Sequence, residues 1–447
     1  MNPHFIEKAC QLINDRSIID REMYNVYDVK RGLRNADGSG VLAGLSKISS
    51  VTGTEKVDGK MVPAEGKLIY RGIDLYDIVA GIQRERRHGY SETAYLLLFG
   101  ELPNKDELQE FESELSEHFP LPEGIVESQI LQFTSTNVLN MIQRVILTLY
   151  SLDPQAEDTN LANVVKQCLL LIARFPAIVA YSFRAICTNH YGEPLFIHQP
   201  RPDLDIAENF LYMLRQDGKF TPLEAELLDL ALILHAEHGG GNNSSFAMHV
   251  VSSSRTDTYS AFVSAISSLK GPLHGAANAN VMDMMTNIKE NVRNWSDRGE
   301  VGAYIEKIIR KEAYNRSGLV YGVGHAVYTK SDPRAVVLKK KAEELAVVKG
   351  RLDEFNLYQI IESVTPEIFQ KVKNSSKPLS ANVDFYSGFV YDMLGFPKDI
   401  YTPLFALGRV SGWAAHRIDE LINGGRIIRP AYKNVGELRK YIPLDER

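Results

Sequence analysis

The chain has 447 residues, 44% of them hydrophobic and 24% charged, a globular composition too long for one ordinary core. Its formal net charge of -6 gives no overall basic field for nucleic acid, and the densest basic run, Arg84, Arg86, Arg87 and His88, reads as a solvated helix end. Cys10, Cys168 and Cys187 lie far apart with no CxxC, which argues against a disulfide framework or a cysteine zinc site and for a reducing, cytoplasmic setting.

Residues 1–20 mix charged and apolar side chains and lack the continuous apolar stretch of a signal peptide. Gly38, Gly40, Gly44, Gly53, Gly59 and Gly66 punctuate short pieces such as Val41-Leu42 and Lys67-Leu68-Ile69-Tyr70, so residues 37–70 read as a small strand-and-turn region. Helical spacing dominates after Ile73. The most apolar stretch, Val164 to Ile186, is interrupted by Lys166, Gln167, Arg174, Pro176 and Arg184. It falls short of the roughly 20 apolar residues of a membrane span.

Thr221-Pro222-Leu223-Glu224 is a capping box with proline at the first helical position. It opens a helix expected to run to His238, with Leu223, Leu227, Leu230 and Leu234 on its buried face and Gly239-Gly240-Gly241 as the stop. Further helices are expected over Thr256–Leu269, from near His274, from Asp332-Pro333 to Val348, and over Thr402–Ile422. So many helices with so few strands give an all-α class with a small N-terminal β region.

Five segments are poorly explained by packing alone. In His235-Ala-Glu237-His238-Gly-Gly-Gly-Asn242 the two histidines fall at i, i+3 near a helix end. They read as caps of the last carbonyls, or as a metal pair that still wants a third ligand. In Lys270-Gly-Pro-Leu273-His274-Gly-Ala-Ala-Asn the histidine is placed at a helix start, which disfavours a positive imidazolium and leaves a neutral hydrogen-bond donor. In Tyr321-Gly322-Val323-Gly324-His325-Ala326 the Gly-x-Gly loop offers backbone N–H and C=O groups to a ligand. Arg334, in the first turn after Asp332-Pro333, opposes the helix dipole unless an anion shares the site. In Asn382-Val-Asp384 the aspartate reads either as an N-cap or as a carboxylate raised in pKa by aromatic surroundings. In Phe405-Ala-Leu-Gly-Arg409-Val-Ser-Gly-Trp413 the arginine is the only charge between Asp399 and Arg417. A buried guanidinium needs an anionic partner, and none is close in sequence. With Arg334 and Arg429 it suggests a small substrate carrying more than one carboxylate.

In this order the segments resemble the citrate synthase family, over most of the chain from about Lys67 onward. The Leu273-His274-Gly-Ala-Ala-Asn, Gly-x-Gly-His325 to Asp332-Pro333-Arg334, and Asn382-Val-Asp384 segments carry the likeness, with Phe405, Arg409 and Arg429-Pro430. The resemblance implies a two-domain helical fold: residues 1–275 and 396–447 form a large domain, and 276–395 a small one. It implies a metal-free transferase of the tricarboxylic acid cycle that condenses acetyl-CoA with oxaloacetate through an enolate and citryl-CoA, giving citrate and CoA. Asp384 is then the base, His274 the donor to the enolate oxygen, and His325 the donor to the oxaloacetate ketone. His238, Arg334 and Arg409 hold oxaloacetate, with Arg429 supplied by the partner of a homodimer. Leu273, Gly322, Val323, Gly324 and Ala326 meet coenzyme A, while Ser244 orients His274, and Asn242 and Phe405 support the site. Thr329 stands where many relatives carry an arginine near the coenzyme phosphates. The same residues suit 2-methylcitrate synthesis from propionyl-CoA. A metal-dependent hydrolase built on His235 and His238 is the reading from a different class.

Overall fold

The computed structural model describes residues 2–35, 39–375 and 377–447. Gly38, one of the glycines of the N-terminal turn region, lies outside them. Two units result, residues 1–45 and 46–447. The first carries helices α1 (Pro3–Ser17) and α2 (Arg21–Val26). Each is opened by a side-chain cap, Asn2 and Asp20 respectively, accepting a backbone N–H of the first turn.

The second unit begins with strands β1 (Ser49–Val57), β2 (Lys60–Tyr70) and β3 (Ile73–Asp74), an antiparallel sheet in the order β1-β2-β3. Ser49 pairs with Tyr70 and Val57 with Lys60, with one irregularity between Thr52 and Thr54. The expected short piece at Val41-Leu42 is not a strand. Helices follow: α3 (Leu75–Glu85), α4 (Tyr90–Phe99), α5 (Lys105–Glu117), α6 (Val138–Leu152), α7 (Leu161–Tyr191), α8 (Ile206–Leu214), α9 (Pro222–His235), α10 (Asn243–Ser252) and α11 (Thr258–Lys270). Then come α12 (Ala277–Asn291), α13 (Arg298–Ile309), α14 (Pro333–Val348), α15 (Leu352–Lys373), α16 (Val383–Met393) and α17 (Tyr401–Asn423). The basic run at the end of α3 is tied down, Arg87 to Glu85 and Glu92, and His88 to Asp205.

The capping box at Thr221 forms as the sequence predicts, with Glu224 returning to the Thr221 N–H. The helix it opens stops at His235, three residues early, so His238 stands beyond the helix and not on its face. Helix α7 is long and apolar enough to cross a membrane, yet 83% of its most apolar window is buried inside the protein. It is a core helix, packed on α6, α8 and α17.

Helix α17 is the axis of this core and packs on α4, α7, α9, α10 and α11. Gly408 and Gly412, one turn apart, face the end of α9. A Cβ at Gly412 would lie 2.2 Å from the Ala236 carbonyl oxygen, and one at Gly408 would lie 2.8 Å from the His235 Cβ. The two helices therefore touch through backbone, which seats the residue between these glycines, Arg409, against the last carbonyl of α9. Gly412→Ala is expected to lower stability by about 1–3 kcal/mol through overpacking, read from the denaturant midpoint. A neutral result would mean that α9 and α17 separate freely.

Candidate active site

The guanidinium of Arg409 is fully buried. Its Nε donates to the His235 carbonyl at 2.6 Å, and its plane lies 4.7 Å from the ring of Phe405, one turn earlier on α17. Nη1 and Nη2 have no hydrogen-bond partner among the described residues. Burial lowers its pKa, opposed by Glu237, but an arginine stays charged under these conditions. A dry cation holding out an open fork of donors is the geometry that grips a carboxylate.

Arg334 solves the same problem differently. It is also buried, but Asp332, the N-cap of α14, takes its Nε at 3.0 Å and its Nη2 at 2.8 Å. Asp332 also accepts the Val383 N–H at 3.2 Å, fastening the start of α16 to the start of α14. Arg334 thus sits beside the site with its charge largely matched.

Three histidines gather near these arginines. His238 is buried against His325 and Tyr328, with ring centroids 5.2 and 5.4 Å away. Its pKa falls well below the usual histidine value, from burial first and then from Arg334, His325, Arg409 and His274. His325 stacks on Tyr328, and its Nδ1 accepts the N–H groups of Val327 at 3.0 Å and Tyr328 at 3.1 Å. Nδ1 therefore carries a lone pair, and a neutral ring holds its proton on Nε2. His274 is lowered to about 4 by burial and by Arg409. It is neutral as the sequence suggests, but for another reason. Helix α12 begins at Ala277, so His274 lies in the turn before it, not in the helix's first turn. That turn is held by Thr402, whose hydroxyl donates to the Gly275 carbonyl at 2.7 Å.

Asn382, not Asp384, caps α16, accepting the Asp384 N–H at 3.0 Å. The Asp384 carboxyl is left free of capping duty. Burial raises it to about 6, with Asp332 adding to the rise and Arg334 and Arg409 holding it back. Arg409 therefore acts at once on His274, His238 and Asp384, which brings together residues more than a hundred positions apart in the chain.

Other expected residues fall less simply. Ser244 is buried, but its hydroxyl donates to Asn242 at 2.9 Å and accepts from Trp413 at 3.1 Å, and His274 Nε2 has no hydrogen-bond partner, so the expected bond between the two is not formed. The loop at Gly322–Gly324 does not hold all its backbone open to a ligand. Gly324 N–H donates to Ser380, while the Gly322 and Gly324 carbonyls accept from the Asn382 backbone and side chain. Gly322, at φ 79°, has no room for a side chain, because a Cβ would lie 2.8 Å from Val281 and Phe385. Val323 pairs with Ala381, and Leu273 and Ala326 are exposed. Thr329 holds the β1–β2 hairpin, donating to the Gly53 and Ala64 carbonyls. Arg429 is exposed on the segment after α17.

His235 turns from His238. Its Nε2 meets Tyr391 at 2.8 Å and its ring packs on Phe405, 4.6 Å away. Sequence reasoning missed Glu237, a buried acid held down to about 2 because His416 and Arg409 outweigh its burial. It also missed Tyr70, which donates to the carbonyls of Ile233 and Glu237. Only the run of His, Glu and His beside a glycine triplet hinted at the former.

A helical fold with buried arginines, imidazoles that resist protonation and a raised carboxyl is suited to acid–base chemistry on an anionic substrate. The profile of the citrate synthase C-terminal domain matches residues 36–431. The chain is 34% identical to a citrate synthase of Haloferax volcanii over 94% of its length and 99% of the other's. It is 32% identical to 2-methylcitrate synthase 1 of Corynebacterium glutamicum over 94% and 98%. The structure superposes on a ternary complex of citrate synthase from Thermoplasma acidophilum with carboxymethyl coenzyme A and oxaloacetate, with a TM-score of 0.75 and 27% identity over 94% and 99% of the two chains. The chain belongs to the citrate synthase family, a family of acyltransferases.

The raised pKa of Asp384 has a stability signature. The folded chain holds that proton more tightly than the unfolded chain, so stability falls as pH rises from about 4 to about 6. For His274 the sign is reversed: stability is lost as pH falls from about 6.5 toward about 4. Asp384→Asn should be more stable than the parent near neutral pH, by on the order of 2 kcal/mol, with the gain vanishing below about pH 4. Urea unfolding at several pH values measures it, and a gain independent of pH would contradict the assignment.

Proposed function

We propose that the chain condenses acetyl-CoA with oxaloacetate and water to citrate and CoA, with the chemistry divided among three side chains. The observation that carries this reading is the buried Arg409 fork with two unpartnered nitrogens, beside one raised carboxyl and neutral imidazoles. Asp384 takes the methyl proton. A carboxylate with a pKa near 6 is a stronger base than an exposed aspartate and is still mostly ionised at neutral pH. His274, neutral, donates to the enolate oxygen as charge develops there. His325 donates from Nε2 to the oxaloacetate ketone and then to the new alkoxide. The carbanion carbon of the enolate attacks that ketone carbon, and water then cleaves the thioester of citryl-CoA, releasing CoA. Preorganised donors of this kind commonly contribute about 3–4 kcal/mol each to lowering the barrier.

Arg409, Arg334 and His238 hold oxaloacetate, the first through its open donors. Residues 276–395 act as the small domain, closing on 1–275 and 396–447 to exclude water. Leu273, with Val323 and Ala326 on either side of His325, meets coenzyme A. We further propose a homodimer in which Arg429 reaches the partner's site. The exposed Tyr432, Leu438 and Tyr441 just beyond it support a protein-covered role for this segment. A cytoplasmic setting accords with three unpaired cysteines. The condensation uses no metal. Acetyl-CoA is favoured over propionyl-CoA, although one methylene is worth only about 1–3 kcal/mol of discrimination.

Mixing acetyl-CoA and oxaloacetate in EDTA is expected to release free CoA thiol, faster than with propionyl-CoA. Asp384→Ala should slow release by roughly 10²–10⁴-fold while oxaloacetate still binds. An Asp384→Ala enzyme within tenfold of the parent, or one that loses oxaloacetate binding alone, would falsify the role given to this residue.

A further inference from the structure

Behind the arginine pair a second histidine cluster joins α10 to α17. His416 and Asp419 lie at i, i+3 on one face of α17, and His249 faces them from α10. His249 Nε2 and His416 Nδ1 are 3.0 Å apart. The outer nitrogen of each ring meets a carboxylate: His249 Nδ1 lies 2.7 Å from Glu420, and His416 Nε2 lies 2.9 Å from Glu237. His416 and Glu237 are fully buried and Asp419 nearly so.

The proton count makes this arrangement unusual. A carboxylate accepts, so each outer nitrogen carries the N–H. In two neutral rings both inner nitrogens are then lone pairs, facing one another in a dry interior. Something positive must stand between them, either a proton shared by the two rings or a metal ion. Imidazoles whose far N–H is held by a carboxylate are the regular arrangement of histidine metal ligands, because the carboxylate fixes the tautomer and raises ligand basicity. The Asp419 carboxylate completes a set of three, with ligand atoms all within 4.8 Å of one another. On the same side the chain passes as Gly240, whose missing Cβ would stand 3.4 Å from His249 Nε2 and 3.3 Å from His416 Cε1.

We propose that His249 Nε2, His416 Nδ1 and Asp419 bind a divalent transition ion of the zinc class, with Glu420 and Glu237 orienting the two rings. Two nitrogens and a carboxylate select such an ion over calcium or magnesium, which take oxygen ligands. Metal–nitrogen distances of about 2.0–2.1 Å require the two nitrogens to part by only a few tenths of an ångström. All the ligands stand on helices, which hold them in place. The ion plays no part in condensation. It braces Glu237, which also accepts from Ser49 Oγ and the Gly239 N–H, and so stiffens the turn that carries His238.

The test needs no substrate. Untagged full-length protein is stripped with chelator, dialysed, and titrated with Zn²⁺ by calorimetry and with Co²⁺ by visible absorption. The site predicts one high-affinity ion per chain, low-coordinate Co²⁺ bands, and a higher unfolding temperature with Zn²⁺. His249→Gln and Asp419→Asn should each abolish the bands, and Glu420→Gln should weaken binding roughly 10–100-fold. No uptake by the parent, or uptake equal in parent and variants, overturns the proposal and leaves the two histidines sharing a proton. Because turnover is not read, this outcome is independent of the condensation chemistry.

Discussion

A positive charge that cannot reach water governs this molecule. Arg409 is enclosed by α9, α17 and the turn at His274, and among the described residues only its Nε is matched. Keeping a guanidinium in such a place is costly unless an anion completes it. The surroundings leave that place to a ligand: Glu237, the acid that acts most on Arg409, accepts from His416, Ser49 and Gly239 through one oxygen, and no hydrogen bond joins it to Arg409 among the described residues. The tight contact between α9 and α17, through Gly408 and Gly412, fixes where that charge stands.

The protonation states of the other residues follow from it. Burial makes His274 and His238 hard to protonate, and Arg409 makes them harder. They remain donors without charge. Burial would carry the Asp384 carboxyl still higher if Arg334 and Arg409 did not restrain it. The balance leaves a base that is strong yet ionised. Arg334, paired with Asp332, lends field without demanding a ligand for every donor. One arginine matched and one unmatched gives a site that is stable when folded and selective for a carboxylate.

Much of this was legible in the sequence, and the exceptions have physical causes. Arg409 stood out because no acid lies near it along the chain, a pattern that survives folding. The helix from Pro222 was readable from its cap, and that from Pro333 from Asp332, because caps act within four residues. The end of α9 is less legible: glycines at 239–241 signal a stop, but the helix yields earlier, at His235, where its last carbonyl is claimed by Arg409. Asp384 reads as a possible cap in the sequence, yet Asn382 does that work. The role of Glu237 and the pairing of His249 with His416 depend on contacts across more than 150 residues, which no local pattern encodes. The same holds for Thr329, whose hydroxyl anchors a hairpin some 265 residues earlier.

Unfolding of Arg409→Leu with and without oxaloacetate, beside the parent, addresses the central claim directly. Without oxaloacetate the variant should be at least as stable as the parent, since it removes a buried, half-matched cation. Oxaloacetate at about 100 times its dissociation constant should stabilise the parent by about 2.7 kcal/mol and leave the variant unmoved. A variant that is several kcal/mol weaker in the absence of ligand, or that gains as much from oxaloacetate as the parent does, would show that this guanidinium serves the fold and not the substrate.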